Sequence, residues 1–327
     1  MSNNERVGPY ISELSAGQRV RGIYGVQKKQ LRSFRDPNKG HYLDLKLGDL
    51  SGSLSARVWE DARSLTNMFD EGDVICVRGT VQVYRGENQL TIDEISKVEA
   101  ETVSAERFIP KSPRCQQKMQ EELWQHIECI EDSHLAELLS RMFGDPDFYR
   151  QYTLKPAAKQ VHHGYLHGLL EHSLEVANLA AHHAPQREEL NTDLLLAGAI
   201  LHDVGKIEEL KCTGSIQYSE NGRLLGHVAI GYRIVSSAVD EMDDFPAPLS
   251  RHLKHLILSH HGEQEYGAPV VPQTREAVVL HQADLYSGRA AQVAVASEHA
   301  RRKGESWSDY DRLLERYIWI PENKTQD

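Results

Sequence analysis

Hydrophobic spacing changes period near residue 100, and that change limits the possible folds more than any other feature. Before it, apolar residues recur at every second position: Leu43, Leu45 and Leu47; Leu54, Ala56 and Val58; Val81 and Val83; Leu90 and Ile92. A period of two is that of a strand with one buried face. Turn-forming clusters separate the runs at Asp36-Pro37-Asn38-Lys39-Gly40, Asp49 to Ser53, Glu71-Gly72-Asp73 and Arg85-Gly86-Glu87-Asn88. About five strands so spaced, with a short helix near Ala62 to Phe69, fit a small closed barrel. Around Lys111 and Ser112, Pro110 and Pro113 break any regular element. Beyond them the spacing is helical, with helices expected over 115–130, 133–143, 166–184, 192–202, 224–242, 248–261, 274–300 and 307–317.

The expected architecture is therefore multidomain, a small β-barrel followed by an all-α helical domain. Its expected bounds are an N-terminal extension at 1–15, the barrel at 16–100, a linker at 101–114, the helical domain at 115–320 and a frayed tail at 321–327. The 327 residues give room for two cores. The N-terminal stretch has no basic segment leading into an apolar one, so it does not read as a signal peptide. The longest apolar run, Leu194 to Leu201, is far short of the ~20 residues of a membrane span. Cys76, Cys115, Cys129 and Cys212 form no CxxC pair, which points to a reducing compartment without thiolate metal sites. A cytoplasmic location without membrane contact is the expectation.

The formal charge of −11 is unevenly placed. Residues 1–100 carry 14 basic and 14 acidic side chains, so the whole acidic excess follows them. So do 16 of the 17 histidines. An acidic, imidazole-rich half suits bound cations, and it equally suits a merely soluble surface.

Position on the helices separates these readings. Leu194 to Leu201 is apolar nearly all round, so its helix should be buried, and it ends in His202-Asp203-Val204-Gly205-Lys206. Gly205 could take the left-handed conformation that stops a helix. His172 shares a face with Leu169 and Val176, and His227 with Ile230 and Ile234. His260 and His261 end the apolar helix of Leu253, Leu256 and Ile257, just before Gly262. Asp284 lies in the pattern of Ala277, Val278, Leu280 and Leu285. One histidine on an apolar face is more often a core residue with an ordinary partner. Five histidines and two aspartates facing inward from one domain are hard to satisfy without a shared ion. From spacing alone Lys206 could equally be a cation at a helix C-terminus or a phosphate ligand. His162, His163 and His167 are read as lining or backing the cleft. His281 is read as orienting Asp284 or packing, and His182, His183, His252, His255 and His299 as surface.

The ligand order His…His-Asp…His…His-His…Asp over residues 160–290 resembles the HD superfamily of metal-dependent phosphohydrolases. That resemblance implies an HD-type helical domain with His172, His202, Asp203 and Asp284 on one divalent ion. It further implies that Asp203 bridges to a second ion held by His227 and by His260 or His261. Imidazole-rich, carboxylate-bridged ligation favours Mn, with Co, Fe or Ni as alternatives, over Mg. Such ion pairs, at ~3.5–4 Å, serve in-line displacement at phosphorus. Lys206 matches the HDxGK form of the motif, which makes Lys206 and Asp203 the expected catalytic residues.

In the first half, the inward alternation leaves Tyr42, Asp44, Lys46, Arg57 and Trp59 facing outward. Gln18 to Arg35 adds Arg19, Arg21, Lys28, Lys29, Arg32 and Arg35 with no acid among them. Aromatic and cationic side chains on one outer face are what base stacking and phosphate contact require, although a plain solvated strand face would look similar. Tyr42, Arg57, Trp59, Lys28, Lys29 and Arg32 are the candidate nucleic-acid contacts. The run Gly40 to Leu45 followed by Asp49-Leu50-Ser51-Gly52 is similar to an OB-fold of the anticodon-binding type.

The whole order, with His162-His163-Gly164-Tyr165, Gly168 to Ser173, Ala199 to Lys206, Gly226-His227, Ser259 to Gly262, Glu265-Tyr266-Gly267 and Trp307 to Arg316, resembles the bacterial YhaM-type 3′–5′ exoribonucleases. It implies release of nucleoside 5′-monophosphates from the 3′ end of single-stranded RNA, with DNA as a further candidate. The alternatives are a phosphohydrolase of a nucleotide or other small phosphoester, and a non-catalytic RNA-binding adaptor. A cyclic-dinucleotide enzyme is disfavoured, because Gly-Glu-Gln-Glu-Tyr-Gly after His261 lacks the GYP element of that HD subfamily. An assembly of identical copies is compatible with the sequence but not derivable from it.

Overall fold

The computed structural model describes residues 7–36, 38, 40–99, 102–159, 163–184 and 187–321. The rest of the expected N-terminal extension and frayed tail, one end of the linker, and His162 lie outside the described residues. The chain divides into two compact units, Met1–Lys111 with Leu210–Ser219, and Ser112–Glu209 with Glu220–Asp327.

The first unit is a closed barrel of five strands, β1 (Arg19–Ser33), β2 (His41–Asp49), β3 (Gly52–Val58), β4 (Val74–Tyr84) and β5 (Glu87–Val98), in the order β1-β2-β3-β5-β4. This is the OB-fold arrangement. Long β1 closes it by pairing with β4 through Arg19–Gly25 and with β2 through Gly25–Ser33, bending at an irregularity between Val26 and Lys28. In the β2–β3 register Leu43 faces Val58, Leu45 faces Ala56 and Leu47 faces Leu54. The apolar rows read from the sequence are thus cross-strand neighbours, and they fill the core with Tyr24, Ile75, Val77, Val81, Leu90 and Ile92. Val83, expected inside, is 61% exposed, because the β4–β5 hairpin runs on toward its left-handed turn at Arg85-Gly86. The short helix is α1 (Ala62–Leu65), with Phe69 buried just after it.

Strands β6 (Leu210–Cys212) and β7 (Ile216–Tyr218) form a hairpin too short for periodicity to reveal. Its turn packs on the barrel. Gly214 N–H donates to Gly72 O at 2.9 Å, and Thr213 Oγ1 donates to the same oxygen. A Cβ built on Gly25 would lie 1.8 Å from Gly214 O, so only glycine lets the two backbones pass.

The helical unit comprises α2 (Gln116–Glu128), α3 (Ser133–Gly144), α4 (Pro146–Leu154), α5 (Gly168–His183), α6 (Thr192–Leu201), α7 (Lys206–Glu209), α8 (Glu220–Asp240), α9 (Ala247–Ser259) and α10 (Arg275–Lys303). One core joins α2 to α10, with Leu194 to Leu201 buried throughout at its centre. Helix α4 was not anticipated, though Pro146 in its first turn and the Asp145 cap on Phe148 N–H are readable start signals.

Two helical expectations fail for identifiable reasons. The segment expected over 224–242 starts earlier and is broken at Gly226, whose φ of 72° and ψ of 157° are not helical. Residues 307–317 are not a helix: Gly304 ends α10 in the left-handed conformation, and isolated bridges join Trp307 to Trp319 and Asp311 to Arg316. Asp311 Oδ1 accepts from Leu313 and Leu314 N–H, a side-chain turn that competes with helix formation. No helix among the described residues is long and apolar enough to cross a membrane.

Substituting Gly25→Ala should lower the stability of the barrel unit by ~1–3 kcal/mol, since the added methyl meets backbone rather than a yielding side chain. Denaturant unfolding followed by barrel tryptophan fluorescence measures it.

Candidate metal centre and nucleic-acid face

In the helical unit all seven expected ligand side chains converge. His202 caps α6, His172 lies within α5, Asp284 within α10, His260 caps α9 and His227 follows the break in α8. Asp203 sits between them, 1% exposed. Its Oδ2 is 3.4 Å from the Nε2 atoms of both His172 and His202, and its Oδ1 is 3.3 Å from His227 Nε2 and 3.7 Å from His260 Nε2. Asp284 Oδ1 is 3.1 Å from His172 Nε2 and 3.8 Å from His202 Nε2. Among the described residues the seven fall into two groups, His172, His202 and Asp284, and Asp203, His227, His260 and His261, while His172 also joins His163 and Glu175 in a third. Both His260 and His261 enter the second group.

Each imidazole is held by its other nitrogen. His202 Nδ1 donates to Ala199 O at 2.9 Å, His260 Nδ1 to Ile257 O at 2.7 Å and His261 Nδ1 to Tyr266 O at 2.7 Å. His227 Nδ1 lies 3.2 Å from Glu209 Oε1. His172 Nδ1 lies 3.0 Å from Ser287 Oγ, whose hydroxyl donates to Glu175 Oε2, so the serine oxygen accepts from the ring. Fixing protons on Nδ1 leaves lone pairs on Nε2. Yet His172 Nε2 is 3.2 Å from His202 Nε2, and His227 Nε2 is 3.1 Å from His261 Nε2. Facing lone pairs at that distance repel unless a positive centre lies among them.

Protons do not fill that role throughout. Burial pushes the pKa of His172, His260 and His261 down, His260 furthest. For His202 burial acts the same way, but neighbouring Asp203 and Asp284 outweigh it and raise the pKa. Burial opposes ionisation of both aspartates, yet Lys206 and His202 hold Asp203 well below the usual carboxylate range, and His172 and His202 do so for Asp284. Asp203 Oδ1 and His260 Nε2 are buried and make no hydrogen bond. Orphaned acceptors of this kind cost about 1–3 kcal/mol each. Divalent cations fit this donor set.

Lys206 is buried and places Nζ 2.5 Å from Asp203 Oδ2. It begins the four-residue helix α7, just past the end of α6. Gly205 is not left-handed. Its lack of a side chain serves a close approach, since a Cβ there would lie 2.0 Å from His227 O. His281 Nδ1 donates to His260 O at 2.8 Å and so steadies that carbonyl instead of Asp284. His163 is buried beside Glu175, with Nε2 at 3.3 Å, and His167 Nδ1 donates to Thr153 O. His252 and His255 are half-buried, His252 Nε2 lying 3.1 Å from Glu276 Oε2 and His255 Nε2 accepting from Gln273 N–H, whereas His182, His183 and His299 are exposed. Sequence reasoning missed Glu175, Glu209 and Ser287, whose partners lie far away along the chain.

On the barrel, Tyr42 and Trp59 have ring centroids 5.2 Å apart, and Phe34 joins them at 5.2 and 5.8 Å. The Arg57 guanidinium lies 5.6, 5.4 and 5.1 Å from the Tyr42, Trp59 and Tyr84 rings. Asp44 anchors it, with Oδ1 3.6 Å from Arg57 Nε, and binds Arg32 Nε at 2.9 Å through Oδ2. Trp59 and Tyr84 are exposed and so is Lys28. Phe34 and Tyr84 escaped the sequence reading because they lie at strand ends, where alternation stops. Lys29 is a correction: its ammonium donates to Thr66 O, Phe69 O and Asp70, so it braces a loop and is not presented to a phosphate.

Comparison with known proteins agrees with both halves. The HD domain family matches residues 169–289, and the OB-fold nucleic acid binding domain family matches residues 26–98. The 3′-5′ exoribonuclease YhaM of Listeria monocytogenes serotype 4b is 37% identical over 248 residues, 75% of this chain and 77% of the relative. The protein of the same name from Bacillus velezensis is 33% identical over 261 residues, 80% of this chain and 82% of its own. That of Bacillus subtilis is 34% identical over 245 residues, 74% and 77% of the two chains.

Replacing Ser287→Ala removes the acceptor that orients His172 and should weaken metal binding ~10–100-fold, read by competition with a chromophoric chelator. Trp59→Ala should weaken oligonucleotide binding by ~1–3 kcal/mol per base unstacked while sparing hydrolysis of a dinucleotide.

Proposed function

The chain belongs to the YhaM family of 3′–5′ exoribonucleases, and from that premise we infer that its two units share one task, the barrel holding an RNA strand and the helical unit cutting it. The protein is a hydrolase that degrades RNA from the 3′ end in a metal-dependent reaction. The products, on this reading, are nucleoside 5′-monophosphates.

His172, His202, Asp203 and Asp284 are the ligands of one divalent ion, and Asp203, His227, His260 and His261 those of the other. The facing Nε2 atoms, 3.1 and 3.2 Å apart with both Nδ1 partners occupied, carry this assignment. Nitrogen-rich ligation with a shared carboxylate favours Mn, then Co, Fe or Ni, over Mg. When bound, such ions supply water activation and neutralise charge at phosphorus.

The chain's own groups do the rest. Asp203 stays ionised because Lys206 and His202 adjoin it, and so serves both ligand groups with separate oxygens. Lys206, held at Asp203, keeps a positive charge beside the place where a scissile phosphate gathers negative charge. The aromatic rings of Tyr42, Trp59 and Phe34 stack bases without reading them, and Arg57, Arg32 and Lys28 meet the backbone. That preference for splayed bases selects single strands, RNA first and DNA second. Joining the barrel to the helical unit in one chain raises the local concentration of the strand end at the ligand groups. The working limits are 16–100 for the barrel, with the 210–219 hairpin packed on it, 101–114 for the linker and the rest of 115–320 for the helical domain, in a cytoplasmic enzyme.

Incubating 5′-labelled RNA with the protein and Mn should give a ladder shortening from the 3′ end. Asp203→Ala and His202→Ala should abolish the ladder with RNA binding retained. Label appearing first in a mononucleotide, or cleavage persisting after exhaustive chelation, would reject the reading.

A further inference from the structure

We propose that Glu209 is a positioning residue for His227, fixing its main chain and its imidazole with a single carboxylate oxygen. The proposal deepens the reading of His227 as a metal ligand and rests on it.

The need arises from the break in α8. At Gly226 the backbone leaves helical conformation, with φ 72° and ψ 157°, so the helix restarts at His227. The first N–H groups of a helix have no carbonyl one turn earlier and need an outside acceptor. A Ser, Asp or Asn just before the restart usually supplies it, but Gly226 has no side chain. The acceptor comes instead from α7: Glu209 Oε1 takes the His227 N–H at 2.9 Å. The same atom lies 3.2 Å from His227 Nδ1. That puts the ring proton on Nδ1 and turns Nε2 toward Asp203 Oδ1 at 3.3 Å and His261 Nε2 at 3.1 Å.

Glu209 is itself tightly held. Its N–H donates to Gly205 O at 3.0 Å, one turn back toward Asp203. A Cβ on Gly222 would lie 2.3 Å from Glu209 O, and one on Gly205 would lie 2.0 Å from His227 O. Two glycines thus bring α7 and α8 into backbone contact, and the buried carboxylate closes the junction. Carboxylate suits the place because both partners are donors, and negative charge is favourable at a helix start. It also makes the imidazole a stronger ligand.

The test is Mn binding to the full-length protein by chelator competition, for wild type, Glu209→Ala, Glu209→Gln, His227→Ala and the Glu209→Ala/His227→Ala double variant. Wild type should bind two equivalents. Glu209→Ala should weaken one of them ~10–100-fold and leave the other unchanged. Glu209→Gln, which keeps an acceptor oxygen, should restore most of that loss. The double variant should bind no more weakly than His227→Ala alone, because the two residues act as one. Unchanged affinity in Glu209→Ala, equal weakening of both equivalents, or additive losses would overturn the positioning role while leaving the ligand reading intact. Fewer than two equivalents in wild type would overturn the ligand reading, and the role of Glu209 with it. Should circular dichroism show Glu209→Ala unfolded, Glu209→Asp decides: its shorter arm cannot span both donors, so an unchanged second equivalent overturns the proposal.

Discussion

A single buried carboxylate, that of Asp203, organises the helical unit. Its two oxygens face different sets of imidazoles, and Lys206 balances only one of them. Burying an ion costs several kcal/mol even after relaxation, and partial pairing does not recover all of it. Such a group stays where it is only if its surroundings cannot give way. Here they cannot. Helix α6, which delivers it, is buried on every side, and the backbone just beyond it touches His227. The apolar core of the helical unit therefore does more than stabilise the fold: it prevents the charges from relaxing apart, so that affinity for cations is built in beforehand.

The same rigidity extends outward through the imidazoles. Three of the five are held by backbone carbonyls of their own helix end or the following turn, at Ala199, Ile257 and Tyr266. These anchors come nearly free with the local fold, since a helix ending in histidine has unpaired carbonyls nearby. His172 and His227 lie away from such ends and must borrow side chains from elsewhere, Ser287 with Glu175 in one case and Glu209 in the other. The centre is thus half local and half assembled by tertiary packing.

That division explains what could be read from the sequence. Inward direction is local information, so the apolar neighbours of His172, His227 and Asp284 marked the faces that the fold brings together. Both units of the architecture followed from the change in period. Partners separated by many residues were not legible: Ser287 lies 115 residues from His172. Glycines misled for the same reason. The sequence offers a stop signal at Gly205, whereas the need is room for another helix, which only packing reveals. Lys29 belonged by charge to a phosphate-binding face, but three oxygens around Thr66 to Asp70 claim it. At 307–317 an apolar spacing fit for a helix was overruled by Asp311 capping a turn.

The net charge of −11 would seem to oppose any dealings with RNA. It does not decide the matter, because salt screens separated charges within ~8–10 Å. What acts at short range on the barrel is mostly aromatic: three mutually packed rings, with Arg57 seated on two of them and on Tyr84. Asp44 pairs with both Arg32 and Arg57, which fixes where the guanidinium groups stand. On the reading proposed above, stacking on these rings serves any base, since every base has a π face. An enzyme that shortens a strand one residue at a time must release and rebind a different base after each cut. Sequence-tolerant stacking meets that requirement, whereas tight base-specific hydrogen bonds would stall the strand at its preferred sequence.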